Sequence, residues 1–270
     1  MRINETELFR KYKSSYTSAF IDFLVHCFRM AVHFYALWYF RNSWMNVITL
    51  PLFGYILCRT YVVFHDCGHD SYTPSKTLNY ILGNLLGVFV LTPMCWNWTH
   101  GNHHLTSGNI TNDLHHRFNE LIFHTRGQYR KMNWITRTIY KIVRHPIIFF
   151  TISPIIYFGI KQRFDVLKYK LTNQRRFTQS TIQIVFETIL SNTCILYFMF
   201  WLVEYEIILQ YCGSLVIFAT SLMMTFQNQH TFVPSYIVET KEWTQRDSGL
   251  LGSTLILYPR WFTYFTMGVE

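Results

Sequence analysis

The sequence has 270 residues, of which 50% are hydrophobic, 19% are aromatic and only 14% are charged. Soluble domains carry about 25% charged residues, so this composition argues against a soluble protein and indicates contact with lipid. The net charge is +9, but no basic run accompanies a nucleic-acid-binding signature. We therefore expect no nucleic-acid partner and assign the excess of Lys and Arg to cytoplasmic loops of a membrane protein.

No Pro-, Gly- or Ser-rich linker divides the chain, and residues 1–270 are predicted to form a single membrane domain. The six cysteines are scattered, mostly inside apolar segments, and none forms a CxxC pair. This pattern predicts neither a disulfide framework nor a cysteine zinc site.

The first apolar region predicts a transmembrane hairpin. Residues 20–40 and 45–64 are each long enough to cross a bilayer, and the polar tip 41–44 separates them. The first span is interrupted by four polar side chains, so part of it should face protein, water or headgroups: Asp22, His26, Arg29 and His33.

Two histidine clusters follow this hairpin. His65 and His69 are four residues apart, and His100 is followed by His103 and His104, which are spacings that place side chains on one helix face. The apolar segment 78–97 lies between the clusters. A full crossing by this segment would put the clusters on opposite sides of the membrane, so we predict a re-entrant or surface-lying helix there.

A second hairpin is predicted over residues 181–203 and 206–226, around the acidic tip 204–206, and it ends near His230. The segment 146–160 is short and lies between two basic loops, so it is not expected to cross, with a short tilted span as the alternative. The predicted fold is an all-α integral membrane protein. It has two transmembrane helical hairpins (four spans), membrane-surface or re-entrant helices, and a cytosolic histidine-rich cap.

Five converging imidazoles suggest a metal site for iron, zinc, copper or nickel, because calcium and magnesium prefer oxygen ligands. His115 and His116 are weaker candidates in a polar loop. The remaining single histidines are interpreted as polar side chains at the headgroups: His26, His33, His124 and His145.

Three stretches carry a family resemblance: HDCGHDSY at 65–72, HGNHHLTSG at 100–108 and QHTFVPSYIVETKEW at 229–243. They resemble the membrane fatty acid desaturases, in particular acyl-lipid desaturases of the Δ12/ω-3 type, in which HxxxH and HxxHH are the first two histidine boxes. The resemblance implies a di-iron centre of two iron ions, with these ligands in this chain: His65, His69, His100, His103, His104 and His230. A third HxxHH box of the family would follow residue 270, where this sequence ends, so an incomplete site is expected within the chain as given.

The resemblance implies an oxidoreductase that uses O2 to introduce a double bond into a long acyl chain carried by a lipid or CoA. Cytochrome b5 or ferredoxin would supply electrons. The histidines would face the cytosol, in the endoplasmic reticulum or a bacterial inner membrane. A di-iron membrane hydroxylase of lipids and a truncated non-catalytic homologue remain alternatives.

Two groups of residues are expected to support such a site. Carboxylates can hold histidine ligands in one tautomer, and three are candidates: Asp66, Asp70 and Asp113. Tryptophans that flank the histidines are candidates to line the substrate groove: Trp96, Trp98 and Trp243.

Overall fold

The computed structural model describes residues 13–112, 123–164, 181–232, 234–254 and 259. The described residues are helical apart from turns and one isolated β-bridge between Asn109 and Val238. Asp113, His115 and His116 lie outside the described residues, as does the side chain of Trp98.

Ten helices are numbered here in chain order: α1 (Tyr16–Tyr39), α2 (Asn46–Gly68), α3 (Lys76–Phe89), α4 (Trp96–Thr106), α5 (Arg126–Lys131), α6 (Trp134–Val143), α7 (Ile148–Phe164), α8 (Thr181–Glu204), α9 (Ile208–His230) and α10 (Gln245–Leu251). Within α7, the π-helical stretches Ile148–Ile152 and Tyr157–Lys161 flank one α-helical turn.

The four predicted spans are confirmed as helices long and apolar enough to cross a membrane, namely α1, α2, α8 and α9. The most apolar window of α2 is 61% buried, whereas the windows of α1, α8 and α9 are only 17–22% buried. Helix α2 is therefore central, and the other three present apolar side chains outward, as helices in contact with lipid do.

The tips of the two hairpins lie together. Arg41 at the first tip forms an ion pair with Glu206 at the second, at 3.4 Å, and its carbonyl accepts a hydrogen bond from Gln210 at 2.7 Å. Trp44 at the first tip is 76% exposed, as expected for an interface residue.

Polar side chains in α1 face α2. Asp22 forms an ion pair with Arg59 and accepts a hydrogen bond from the Tyr72 hydroxyl at 3.0 Å. The interpretation of His26 as a headgroup residue is wrong: its side chain is fully buried, and its Nε2 lies 3.1 Å from Thr60 Oγ1. The Thr60 hydroxyl on α2 therefore gives Nε2 of this imidazole a partner inside the bundle.

Helices α3 and α4, with the turn between them, include the segment 78–97, for which we predict a re-entrant or surface-lying helix. The chain reverses after α3, where Leu91 adopts a positive φ of 52°. The carbonyl of Phe89 accepts a hydrogen bond from the Tyr211 hydroxyl, and Arg163 donates to the carbonyl of Leu91 at 2.9 Å. Side chains from α9 and α7 thus satisfy backbone groups that the turn after α3 leaves open.

Candidate metal centre

The first histidine pair lies at the end of α2. His65 is in the last turn and His69 follows as the C-cap residue, so the four-residue spacing directs both rings to one side. Their Nε2 atoms are 3.2 Å apart.

Helix α4 supplies the second set. His100 and His104 are separated by one turn, and their Nε2 atoms are 3.0 Å apart. The Nε2 atoms of His65 and His100 are also 3.0 Å apart. The turn between α3 and α4 therefore brings the second histidine cluster to the first pair, and the prediction that both clusters meet at one site is confirmed. One possible ligand nitrogen from each of His65, His69, His100 and His104 lies within 4.8 Å of the other three.

A further histidine pair lies beside this group. His103 is 2% exposed on the adjacent face of α4, and its Nε2 is 3.2 Å from Nε2 of His230, the last residue of α9. The rings of His100 and His103 are parallel to within 20°, with centroids 5.8 Å apart. The six predicted ligands are thus arranged as a group of four and an adjoining pair.

This donor set fits a transition metal. Metal–imidazole bonds of about 2.0–2.1 Å place neighbouring ligand nitrogens about 3 Å apart around one ion. The nearest Nε2 pairs in the group of four are 3.0 to 3.2 Å apart. Nitrogen-only ligation suits iron, zinc, copper or nickel better than calcium or magnesium.

Two rings of the group are held in the neutral form that binds metals. Burial, together with the imidazoles of His65 and His100, lowers the pKa of His69 to about 4. Burial and four neighbouring imidazoles lower the pKa of His104 to about 3. At neutral pH both rings keep a lone pair for a metal ion.

A mostly apolar cavity of about 480 Å³ adjoins the histidines. Five of the six predicted ligands line it, all except His69. Its apolar walls come from α2, α7 and α9: Val62, Phe158, Leu222, Met223 and Phe226. A mostly apolar cavity of this size that also presents imidazoles has the form of a small-molecule or lipid-chain site.

Comparison with known proteins identifies the family. The model of the fatty acid desaturase family matches residues 42–270, which is most of the chain. The chain belongs to the fatty acid desaturase family. Fatty acid desaturases are oxidoreductases, and the family implies iron as the metal. Membership and the four long apolar helices together indicate a multi-pass membrane protein.

Several relatives of this chain are named as desaturases. A fatty acid desaturase of Bacillus subtilis is 27% identical over 252 residues, covering 90% of this chain and 68% of that protein. An sn-1 acyl-lipid omega-3 desaturase (ferredoxin) of Synechocystis is 34% identical over 45% of this chain and 34% of its own length. A Delta(12) fatty acid desaturase of Mortierella isabellina is 33% identical over 27% of this chain and 20% of its own length. The matches to the acyl-lipid and Delta(12) enzymes thus span about a third or less of those proteins.

The predicted supporting carboxylates differ in their placement. Asp66 Oδ1 lies 3.3 Å from Nδ1 of His65, on the ring edge opposite the converging Nε2. Asp70, in contrast, lies 3.8 Å from the ammonium of Lys76. Of these two carboxylates, Asp66 is therefore the one positioned to hold a histidine in one tautomer.

The predicted groove tryptophans have different contacts from those expected. Trp96 is 3% exposed and stacks on His100 with ring centroids 4.2 Å apart, while its indole nitrogen donates to the Tyr157 hydroxyl at 3.2 Å. Trp243 donates to the carbonyl of Ser107 at 2.8 Å. Neither residue lines the cavity; Trp96 supports a histidine, and Trp243 supports the loop after α4.

That loop is a feature that the sequence did not reveal. The Ser107 carbonyl also accepts a hydrogen bond from the Ser248 hydroxyl of α10 at 2.8 Å. Val238 donates to the carbonyl of Gly108 at 2.9 Å, and Gly108 has a φ of +75° that favours glycine. The segment after α9 thus holds the C-terminal end of α4 in place through these hydrogen bonds. In the sequence, the one signal of a tight backbone approach here is the glycine that ends HGNHHLTSG.

Proposed function

We propose that the protein is an O2-dependent acyl desaturase that uses a di-iron centre to introduce a double bond into a long acyl chain. The observation that carries this proposal is the arrangement of six imidazoles in a group of four and an adjoining pair, beside an apolar cavity. Two adjoining sets of neutral nitrogen ligands suit two metal ions better than one.

The ligands divide by distance. His65, His69, His100 and His104 would hold one iron, and His103 with His230 would contribute to the other. Asp66 keeps the His65 ring oriented through its Nδ1. Bound iron supplies the activation of O2 that removes two hydrogens from neighbouring methylenes, and the chain supplies ligands and substrate position.

The cavity suits an acyl chain, because apolar side chains of α2, α7 and α9 line the space next to the histidines. A single pose in such a groove would bring the same methylene pair to the iron in every turnover. The names of the Synechocystis and Mortierella relatives favour an acyl-lipid substrate and chemistry of the Δ12 or ω-3 type, with acyl-CoA as the other carrier.

The reaction balances only with an external electron donor. One acyl –CH2–CH2– unit, one O2, two electrons and two protons give one –CH=CH– unit and two waters. Ferredoxin, named for the Synechocystis relative, and cytochrome b5 are the two donors that we propose. We further propose that the histidine-bearing side faces the cytosol, in a bacterial inner membrane or the endoplasmic reticulum.

The test is lipid analysis of cells expressing the protein, together with the metal content of the purified protein. In a version that includes the third histidine box of the family, we expect a new double bond and bound iron, and we expect both to be lost in His104→Ala. His230→Ala should lose the product and retain part of the iron. The matched control is His145→Ala, an exposed histidine outside both groups, which should keep product and iron.

Four results would contradict the proposal. Full occupancy by zinc would exclude iron chemistry, and unchanged product in His104→Ala would remove that ligand assignment. A product one oxygen heavier than the substrate would identify a hydroxylase. Stable protein that has neither iron nor product in the presence of an electron donor would identify a non-catalytic homologue.

A further inference from the structure

Helix α6 has one apolar face and one basic face. Successive residues of an α-helix are about 100° apart, so Trp134, Ile135, Ile139, Ile142 and Val143 share one half of its circumference. The cations Arg137, Lys141 and Arg144 occupy the other half. The two sets do not interleave, which is the pattern of a helix that lies at a boundary between water and an apolar phase.

The apolar face is exposed. Trp134 is 76% exposed, and the four aliphatic side chains of this face are between 45% and 56% exposed. One exposed apolar side chain needs no explanation, but five on one face of a helix form a contiguous patch that needs a partner.

The charge around α6 has a single sign. Residues 123–164 contain no Asp or Glu, and they contain eight cations: Arg126, Arg130, Lys131, Arg137, Lys141, Arg144, Lys161 and Arg163. Arg137 donates to the carbonyls of Arg130 and Met132 at 2.8 and 3.2 Å, which fixes its guanidinium at the α5–α6 corner beside Arg130 and Lys131. The partner of this surface must therefore be anionic where it meets the basic side.

The geometry does not favour α6 as part of a transmembrane span. It has 10 residues, about half the number needed to cross a bilayer, and it is bent by 66° relative to α7. A crossing would place three cations of one helix face in hydrocarbon, where each is costly. A helix in the plane of the membrane surface avoids that cost, because the cations point to the headgroups while the apolar side chains enter the acyl boundary.

We propose that α6 lies in the membrane surface and binds anionic phospholipid headgroups through its basic face and the adjoining Arg130 and Lys131. An acidic soluble protein would satisfy the cations but would leave the row from Trp134 to Val143 in water. A bilayer containing acidic lipid matches both faces at once. This proposal concerns a surface away from the histidines and does not depend on the proposed reaction.

The test measures the lipid around Trp134. The full protein is reconstituted in vesicles in which part of the lipid is brominated phosphatidylcholine or, at equal mole fraction, brominated phosphatidylglycerol. The difference in fluorescence quenching between the wild type and Trp134→Phe isolates this one tryptophan. We expect Trp134 to be quenched by both lipids, more strongly by the anionic one, and the preference to fall in high salt.

Two triple variants make the charge dependence specific. Arg130→Gln/Lys131→Gln/Lys141→Gln removes exposed cations of the proposed surface, and each removal should lower the preference for the anionic lipid by up to about fivefold. Lys13→Gln/Lys241→Gln/Arg246→Gln makes the same change in net charge at exposed sites elsewhere and should leave the preference unchanged. Circular dichroism checks that each variant remains helical.

Each other outcome overturns the proposal. An absence of quenching of Trp134 would mean that protein covers the apolar face. Equal quenching by the two lipids would leave α6 at the surface but remove the selection of anionic headgroups. Loss of the preference in both triple variants would assign it to net charge, and protection of Trp134 from quenching by an acidic polypeptide would assign the surface to a protein partner.

Discussion

His103 and His230 are 127 residues apart in the sequence, yet their Nε2 atoms lie 3.2 Å apart. His103 is on α4, and His230 is the last residue of α9. Their approach therefore depends on how α9 packs along the central helix α2. The two helices pack closely at Gly54, where an added Cβ would lie 2.9 Å from Ile217 and 3.0 Å from the carbonyl oxygen of Ser214.

Gly54→Ala should separate the two helices, because the new methyl group has no space against Ile217 and the Ser214 carbonyl. We expect a loss of about 1–3 kcal/mol in the free energy of unfolding and a displaced His230, with less bound iron. Thermal unfolding in detergent and elemental analysis measure the two effects. Gly159→Ala is the control, since a Cβ at that position meets nothing within 4 Å. Equal stability of the two variants would contradict the proposed close approach.

Asp66→Asn should weaken metal binding without affecting the fold. The carboxylate lies 3.3 Å from Nδ1 of His65, and a neutral amide orients and polarises the ring less well. Loss of such a partner lowers metal affinity by roughly 10–100-fold, which a chelator competition on the purified protein would measure. Asp70→Asn is the matched control, because that carboxylate lies near Lys76 and its replacement keeps a residue type that tolerates a positive φ. Equal iron affinities for the two variants would exclude the orienting role of Asp66.

The sequence predicted the parts of the fold that periodic patterns encode. Four long apolar runs predicted four helices, and the requirement that both histidine clusters serve one site predicted that the segment between them brings α4 back to the end of α2. Contacts between single residues far apart in the chain could not be predicted in the same way. His26 is buried beside Thr60, and the Ser107 carbonyl accepts a hydrogen bond from Trp243. Neither pair has a sequence spacing that signals contact.

The turn between α3 and α4 is stabilised by hydrogen bonds from two side chains, and their contribution can be measured. Arg163 donates to the carbonyls of Leu91 and Phe158 at 2.9 and 3.2 Å, and the Tyr211 hydroxyl donates to the carbonyl of Phe89. Arg163→Met should leave these carbonyls of α7 and the turn without that donor, at a cost of about 1–3 kcal/mol in the free energy of unfolding.

Tyr211→Phe removes the second donor to the same turn, so the double variant with Arg163→Met should show a non-additive loss. Tyr205→Phe is the control, because this exposed hydroxyl lies beyond the end of α8. Denaturant titration of the four proteins gives the coupling energy. Strict additivity of the two losses in unfolding free energy would mean that Arg163 and Tyr211 do not jointly stabilise the turn after α3.

The loop after α4 tests whether the segment following α9 positions the histidine helix. Trp243→Phe keeps an aromatic ring and removes the indole donor to the Ser107 carbonyl, and Ser248→Ala removes the second donor to that carbonyl. Each change should cost about 1 kcal/mol in the free energy of unfolding, and the pair should cost more than the sum, because the carbonyl then loses both of these donors.

Gly108→Ala should be more severe, since its φ is +75° and a Cβ would lie 2.3 Å from the carbonyl oxygen of Tyr236. Trp44→Phe, at the exposed hairpin tip, is the matched control. If the loop positions α4, the iron content will fall together with the stability, because His103 and His104 lie in the last turn of α4, which Ser107 caps. A constant iron content with reduced stability would mean that the loop does not position the histidines.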